Sequence, residues 1–572
     1  MNADLRKGTK KMAEILDVAI VGYGPTGQMM AALLGQRGHK VHAFERHLSL
    51  YALPRASALD YEIARNLQSI GAMDRYLETS AEPAAKYHWI NGHGDHLMTI
   101  DWGKPEINGY HNMYIGFQPR LEDCINQAVE ESGNVTIHRG CDVTDIVVRP
   151  DGLTDLRIVE YRQGEDDKRT PTGVEYTVTA RYVVAADGGN SQVRSKLAIP
   201  LEDWGFRSEW LVVDVRIKRQ LHSKAKALGN RVVKFDNELI QICDPKRPQY
   251  FAPLGKGGRR FEFALMPGET IADMERPEAA WKLLSDNWGI TEDDVEIYRQ
   301  IVYGFNSFLA KDWRRGNIFL IGDAAHGMPP YLGQGLNTGL RDVMNLAWKL
   351  DFVLRDLAGS ALLDSYQDER EANARYYIEA SLAVGAVSCT FDEAAAAERD
   401  KAFAEGTAQP PADPPGLVNG LLMTGDDGLA IRPAGLLGPQ AEVRYRGARG
   451  KLDDLTDTSS FTVLAFGFDP STVLGKDHLG FLEAIGTQCV QIGDAHADTP
   501  GVAADLTGAY RQYFDSRSLE AIVVRPDFYV FGGAETPTDL PAVVAALMAK
   551  FPLKGSPLER TRSGATIDAS VG

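Results

Sequence analysis

Gly22-Tyr23-Gly24-Pro25-Thr26-Gly27 forms a G-x-G-x-x-G turn. Upstream, Ile15 to Val21 is strand-like; downstream, Gln28 to Gln36 is helical and Lys40 to Phe44 reads as a second strand. Strand, glycine turn, helix and strand make a βαβ opening. In such a unit the missing side chains let the backbone approach a pyrophosphate at the helix N-terminus. Glu45 ends the second strand, where a carboxylate can accept hydrogen bonds from adenosine ribose hydroxyls and would repel a 2′-phosphate. Pro25, Thr26 and Arg46 belong to the same candidate set. The turn alone does not separate FAD from NAD, and a glycine turn can also serve close packing without a ligand.

Two later segments break that tie. Val183-Val184-Ala185-Ala186-Asp187-Gly188-Gly189-Asn190-Ser191, with Arg194 beyond it, again runs from a strand into a tight turn. Ile318 to Ile321 is followed by Gly322-Asp323-Ala324-Ala325-His326, which puts Asp323 at a strand end within reach of ribose or ribityl hydroxyls. It leads into Met328-Pro329-Pro330-Tyr331-Leu332-Gly333-Gln334-Gly335-Leu336-Asn337 and then a helix over Leu340 to Leu357. Either dipeptide alone reads as a surface turn. In this order behind the first motif, the three point to FAD.

A chain of 572 residues exceeds what one core fills, so two or three domains are expected. The formal charge of -17 opposes nonspecific attraction to nucleic acid or anionic lipid, and neither partner is expected. Cys124, Cys141, Cys243, Cys389 and Cys489 are widely spaced with no C-x-x-C pair, which argues against a zinc site or a disulfide framework. No metal is expected, and the compartment is read as the reducing cytoplasm. Arg6, Lys7, Lys10 and Lys11 precede an apolar stretch as in a signal peptide, but the run Val18 to Val21 is too short for one. No window approaches a membrane span.

The first domain is assembled from separated pieces. Between them, Leu211 to Met266 alternates as antiparallel strands do, including Tyr250-Phe251-Ala252 and Arg260-Phe261-Glu262-Phe263. Asp392 to Pro415 is rich in Ala, Pro and Gly and reads as a linker or excursion. Strand candidates Phe461 to Phe466, Gln488 to Ile492, Ala521 to Val524 and Phe528 to Phe531, then a helix near Leu540 to Lys550, predict a small α/β domain.

With Pro54-Arg55-Ala56 and Phe117-Gln118-Pro119-Arg120 added to these motifs, nearly the whole chain resembles the class A flavoprotein aromatic hydroxylases. It looks closest to the 3-(3-hydroxyphenyl)propionate hydroxylase branch and the related polyketide hydroxylases. The resemblance implies an α/β fold: a Rossmann-like FAD domain over 15–85, 110–195 and 300–390, and a sheet-rich substrate domain over 86–109 and 196–299. A linker over 391–430 and a thioredoxin-like C-terminal domain over 431–572 would follow. Thioredoxin-type redox chemistry needs paired cysteines, and Cys489 stands alone. The implied activity is hydroxylation of a small phenolic substrate with FAD, NAD(P)H and O2; a homodimer is compatible with it.

By matching position, Gly22, Gly24, Gly27 and Glu45 would hold the ADP half of FAD, and Arg55 would face its pyrophosphate. Gln118 would touch the ribityl region, Asp323 the ribityl chain, and Asp187 with Gly188 both FAD and NAD(P)H. The loop through Pro330, Gly333, Gly335, Leu336 and Asn337 would lie along the isoalloxazine ring. Tyr250, Phe251, Arg260 and Tyr331 are candidates for the substrate side, with Arg260 favouring flavin or substrate anions; the plainer readings are sheet core and a solvated strand charge. His326 is expected to support the flavin loop rather than transfer protons. The competing reading is a flavin oxidoreductase of the same fold that does not oxygenate.

Overall fold

The structure, a computed structural model, describes residues 15–50, 55–164, 169–221, 236–409, 412–497 and 499–555. The basic N-terminal residues, Pro54 and the end of the chain from 556 lie outside the described residues.

The apolar strand Leu16–Val21 sits between Arg169–Ala185 and Val41–Glu45, parallel to both, with Ile20 opposite Val184 on one side and Ala43 on the other. Val135–Arg139 and Ile318–Leu320 extend the parallel sheet outward. A strand flanked and covered in this way is buried on both faces, which is why it is almost purely apolar. The helix Pro25–Gln36 follows directly, with Pro25 in its first turn, where a missing N–H costs nothing. It packs on the helices Gln118–Ser132 and Gly335–Leu354.

Among the described residues the second sheet has eight strands. It runs His326–Gly327, Val295–Ala310, Leu201–Ile217, Gly258–Ala264, Gln249–Pro253, Glu238–Cys243, Lys86–Asn91 and His96–Asp101. The expected antiparallel pairing holds except between Glu238–Cys243 and Lys86–Asn91, which run parallel. Strand alternation sorts the candidate residues by face. Phe251, Phe261 and Phe263 point into a core with Trp288, while Tyr250, Arg260 and Glu262 face the cavity described below.

The third sheet, of seven strands, has Thr462–Phe466, Gln488–Gly493 and Val502–Asp505 in parallel, with antiparallel strands on either side. The segment read as a linker over 391–430 is more ordered than that. Its alanine run, a strong helix former, makes the helix Glu393–Ala404, capped by the Asp392 side chain, which accepts from the Ala395 amide at 2.8 Å. Leu417 and Leu422 are buried against Ala434 and Tyr529, which pins the end of the segment to the C-terminal unit.

A polar seam ties the C-terminal unit to the first domain. Arg525 donates to Glu369 at 2.6 and 3.1 Å and to Asp527 at 3.0 and 2.7 Å, and Lys349 reaches Glu369 at 2.8 Å. Arg65 bridges to Asp453 at 2.7 Å, and the Tyr529 hydroxyl donates to Glu62 at 2.8 Å. Among the described residues no helix is long and apolar enough to cross a membrane, and no cluster of His, Cys, Asp or Glu is placed to hold a metal ion.

Candidate active site

A cavity of about 480 Å³ collects most of the candidate residues. The G-x-G-x-x-G turn contributes Gly22, Gly24, Pro25 and Thr26, and the strand end after it contributes Glu45 and Arg46. Arg55, Gln118, Asp187, Gly188 and Asp323 also line it, together with Pro330, Tyr331, Gly333, Gly335 and Leu336. The second sheet supplies Tyr87, Trp210, Gln241, Tyr250, Arg260 and Glu262. Dinucleotide turn and middle sheet thus open onto one space.

Two expected binding residues are placed elsewhere. A Cβ on Gly27 would lie 2.3 Å from the Gly22 carbonyl oxygen, so this glycine serves the contact of helix and turn and does not line the cavity. Asn337 is fully buried behind the loop: it accepts from the Asp60 amide at 3.1 Å and donates to the Gly333 and Ala58 carbonyls at 2.7 and 3.2 Å. Its amide shapes the loop from within.

The lining fits a dinucleotide. Gly22 holds φ +96 with its Cβ position 2.4 Å from the Ala186 carbonyl oxygen, fixing the turn, whereas a Cβ on Gly24 would meet nothing within 4 Å. Backbone is therefore bared at the start of the helix, where amides and the helix dipole favour an anion. Glu45 accepts from the Tyr23 and His47 amides at 2.8 Å each, which fixes its carboxylate at the cavity wall. Asp187 accepts from the Val193 amide through Oδ2, but its Oδ1 is buried with no hydrogen-bond partner among the described residues. Burial raises both Asp187 and Asp323, and Asp323 opens onto the cavity while surrounded by protein, with His326 and Arg55 pulling its carboxyl back down. Such carboxylates call for ligand hydroxyl donors.

Gln118 accepts from the Arg55 and Ala56 amides at 2.9 and 2.7 Å and donates to Glu122 at 2.8 Å. Glu122 was not singled out from the sequence. It lines the cavity, and burial lifts its carboxyl to about 7 against the pull of Gln118, Arg55 and Gln28. Its only local signal is the spacing of four from Gln118 on one helix face.

Arg260 corrects its expectation. Its Nε and Nη2 donate to Asp214 at 2.7 and 3.0 Å and its Nη1 to the Arg55 carbonyl at 2.8 Å, so its charge is already matched inside the protein. Tyr331 packs edge-on against Trp210 and Phe206, with its hydroxyl 3.2 Å from Cys389 Sγ. His326 is kept out of the cavity: its Nε2 lies 2.7 Å from Asp342, which also accepts from Arg370 at 3.0 Å and from the Gly322 amide at 3.1 Å. That pairing anchors the Gly322 turn to the helix Gly335–Leu354.

Known proteins resemble this chain in sequence and in fold. Residues 15–381 match the family described as FAD binding domain, and 435–550 match the HcaD C-terminal domain. A probable NADH-specific resorcinol 4-hydroxylase of Rhodococcus jostii (strain RHA1) is 34% identical over 541 residues, covering 93% of this chain and 95% of its own. A 3-(3-hydroxy-phenyl)propionate/3-hydroxycinnamic acid hydroxylase of Escherichia coli (strain K12) is 32% identical, covering 90% and 91%. In fold, the flavin-dependent monooxygenase PieE, solved with FAD and substrate, superposes with a TM-score of 0.74 at 23% identity, covering 94% of this chain and 99% of its own.

Proposed function

The chain belongs to the FAD-binding-domain family, and from that premise we propose that it is an FAD-dependent monooxygenase that hydroxylates a phenolic ring with NADH and O2. One observation carries the reading: the dinucleotide turn and the aromatic-lined middle sheet open onto the same cavity, so cofactor and ring can meet there. When bound, FAD supplies the redox and oxygen chemistry. This chain's residues hold and orient the reactants. Gly24 and the helix N-terminus after it receive the pyrophosphate, Glu45 the ribose, and Asp187 and Asp323 further cofactor hydroxyls. The helix Gly335–Leu354 presents its positive end, at Gly335 and Leu336, on the cavity wall, where it would stabilise negative charge on a flavin. Tyr87, Trp210, Tyr250 and Tyr331 provide apolar walls that exclude water and stack on the ring. The carboxyl-terminal unit is read as thioredoxin-like in architecture and structural in role. Five unpaired cysteines agree with a cytoplasmic enzyme.

The reading is tested by loading the protein with FAD and following NADH oxidation against a panel of phenols. At least one phenol accelerates it with formation of a more hydroxylated product. Acceleration by no phenol contradicts the reading.

Gly385 gives a second prediction. It lies inside the helix Ser365–Ser388, where glycine costs about 1 kcal/mol relative to alanine. A Cβ there would stand 2.5 Å from the Tyr331 ring, so Gly385→Ala drives that ring toward the cavity. The expected result is a KM for the phenol raised about tenfold, equivalent to about 1.4 kcal/mol. FAD affinity, measured by fluorescence, stays unchanged.

A further inference from the structure

Arg260 and Glu262 stand two apart on the strand Gly258–Ala264, and both face the cavity. The Arg260 guanidinium is directed to Asp214, on the neighbouring strand Leu201–Ile217, and Arg299 from Val295–Ala310 approaches the same carboxylate at 3.2 Å. Glu262 is only 8% exposed, yet its contact with Arg260 is 3.7 Å, an ion pair too long for a hydrogen bond. Nearby Gln241 has its amide donating to the Gln249 carbonyl and to Ser388, and its oxygen accepting from the Tyr87 hydroxyl. The other lining arginines are Arg46 and Arg55: Arg46 follows Glu45, and Arg55 acts on Glu122 and Asp323. Among the described residues, the sheet side of the cavity therefore offers a hydrogen-bond acceptor and no uncommitted cation.

We infer that Glu262 sets the substrate class within the hydroxylase reading on which this rests: its carboxylate accepts a hydrogen bond from a ring hydroxyl, selecting uncharged hydroxybenzenes, benzenediols foremost, and disfavouring rings that carry a carboxylate. A hydroxyl donating to a carboxylate makes the stronger, charge-assisted kind of hydrogen bond, whereas a second carboxylate beside Glu262 meets like charge. An arylpropionate would need a partner cation, and the nearest among the described residues, Arg260, is held by Asp214. Burial pushes Glu262 up to about 7, with Arg260 and Arg299 lowering it and Asp214 raising it. Tyr250 and Tyr87 face it from the strands Gln249–Pro253 and Lys86–Asn91. Diol binding therefore strengthens as pH rises through that value, where the carboxylate ionises and becomes the better acceptor.

The test titrates FAD-loaded enzyme with resorcinol and with 3-(3-hydroxyphenyl)propionate, reading the perturbation of the flavin spectrum, for the wild type across pH and for Glu262→Gln. The wild type binds resorcinol at least about tenfold tighter, and Glu262→Gln weakens resorcinol by about tenfold or more and flattens its pH dependence. Equal or tighter binding of the arylpropionate by the wild type overturns the inference, as does a resorcinol Kd within about twofold in Glu262→Gln. The wild-type ratio and pH profile decide the matter even if the variant fails to fold. If instead no phenol perturbs the flavin or stimulates NADH oxidation, the hydroxylase reading itself falls.

Discussion

Gly24→Val is expected to yield a folded protein that purifies without FAD. The backbone at Gly24 sits at φ -77, which any residue adopts, and its Cβ position meets nothing within 4 Å, so valine strains neither the turn nor its neighbours. Its methyls would occupy the space where a pyrophosphate must approach bare amides. FAD affinity is expected to fall at least about 100-fold, equivalent to about 2.7 kcal/mol, with the circular dichroism spectrum unchanged. Gly22→Ala is the contrasting control. At φ +96 and 2.4 Å from the Ala186 carbonyl oxygen it damages the turn itself and lowers stability before any ligand is added. Retention of FAD by Gly24→Val within about threefold would remove the pyrophosphate from this turn.

The second large effect concerns the seam with the C-terminal unit. Arg525→Ala removes the principal cation from a buried set in which Glu369 keeps the Lys349 cation, while Asp527 keeps only the neutral donors Asn345 and Trp348. Breaking a buried pair from one side leaves an uncompensated charge and costs about 3–5 kcal/mol. A denaturant titration reads that as a lower midpoint. Glu369 is buried, which would raise its carboxyl, but Arg525 and Lys349 overcome this and hold it well below the ordinary range. Because the folded value is depressed, this stabilisation is fully present above the unfolded value of about 4.3 and is lost as pH falls below it. The variant should show a shallower acid slope there. A midpoint equal to wild type would mean the seam contributes nothing.

Much of the fold is readable from local pattern. The apolar run before Gly22 becomes the buried strand Leu16–Val21, and the C-terminal expectations at Gln488, Ala521 and Leu540 each fall on an observed strand or helix. These elements are apolar runs or strongly periodic stretches, and the signal lies within a few residues. Composition alone does not show the helix Glu393–Ala404 in the stretch after Asp392, where the alanine run sets the local propensity. Asp187 and Asp323 reach the cavity wall from turns that follow strands, a pattern visible in the sequence. The fate of Arg260 is not visible there, since Asp214 lies 46 residues away and cross-strand partners leave no local trace. Glu262 was within reach of the same alternation that placed Arg260, two residues along one strand. Asn337 and Gly27 carry the right residue types for binding, but packing behind the loop and beneath the turn claims them.

The central claim is oxygen insertion into a phenolic ring. It is tested most directly by supplying FAD-loaded enzyme with NADH, resorcinol and isotopically labelled oxygen gas, and weighing the aromatic product by mass spectrometry. The account predicts a product carrying one labelled oxygen atom, formed in step with NADH consumption. NADH consumption that yields hydrogen peroxide and unlabelled resorcinol, with the same outcome across other phenols, would contradict it.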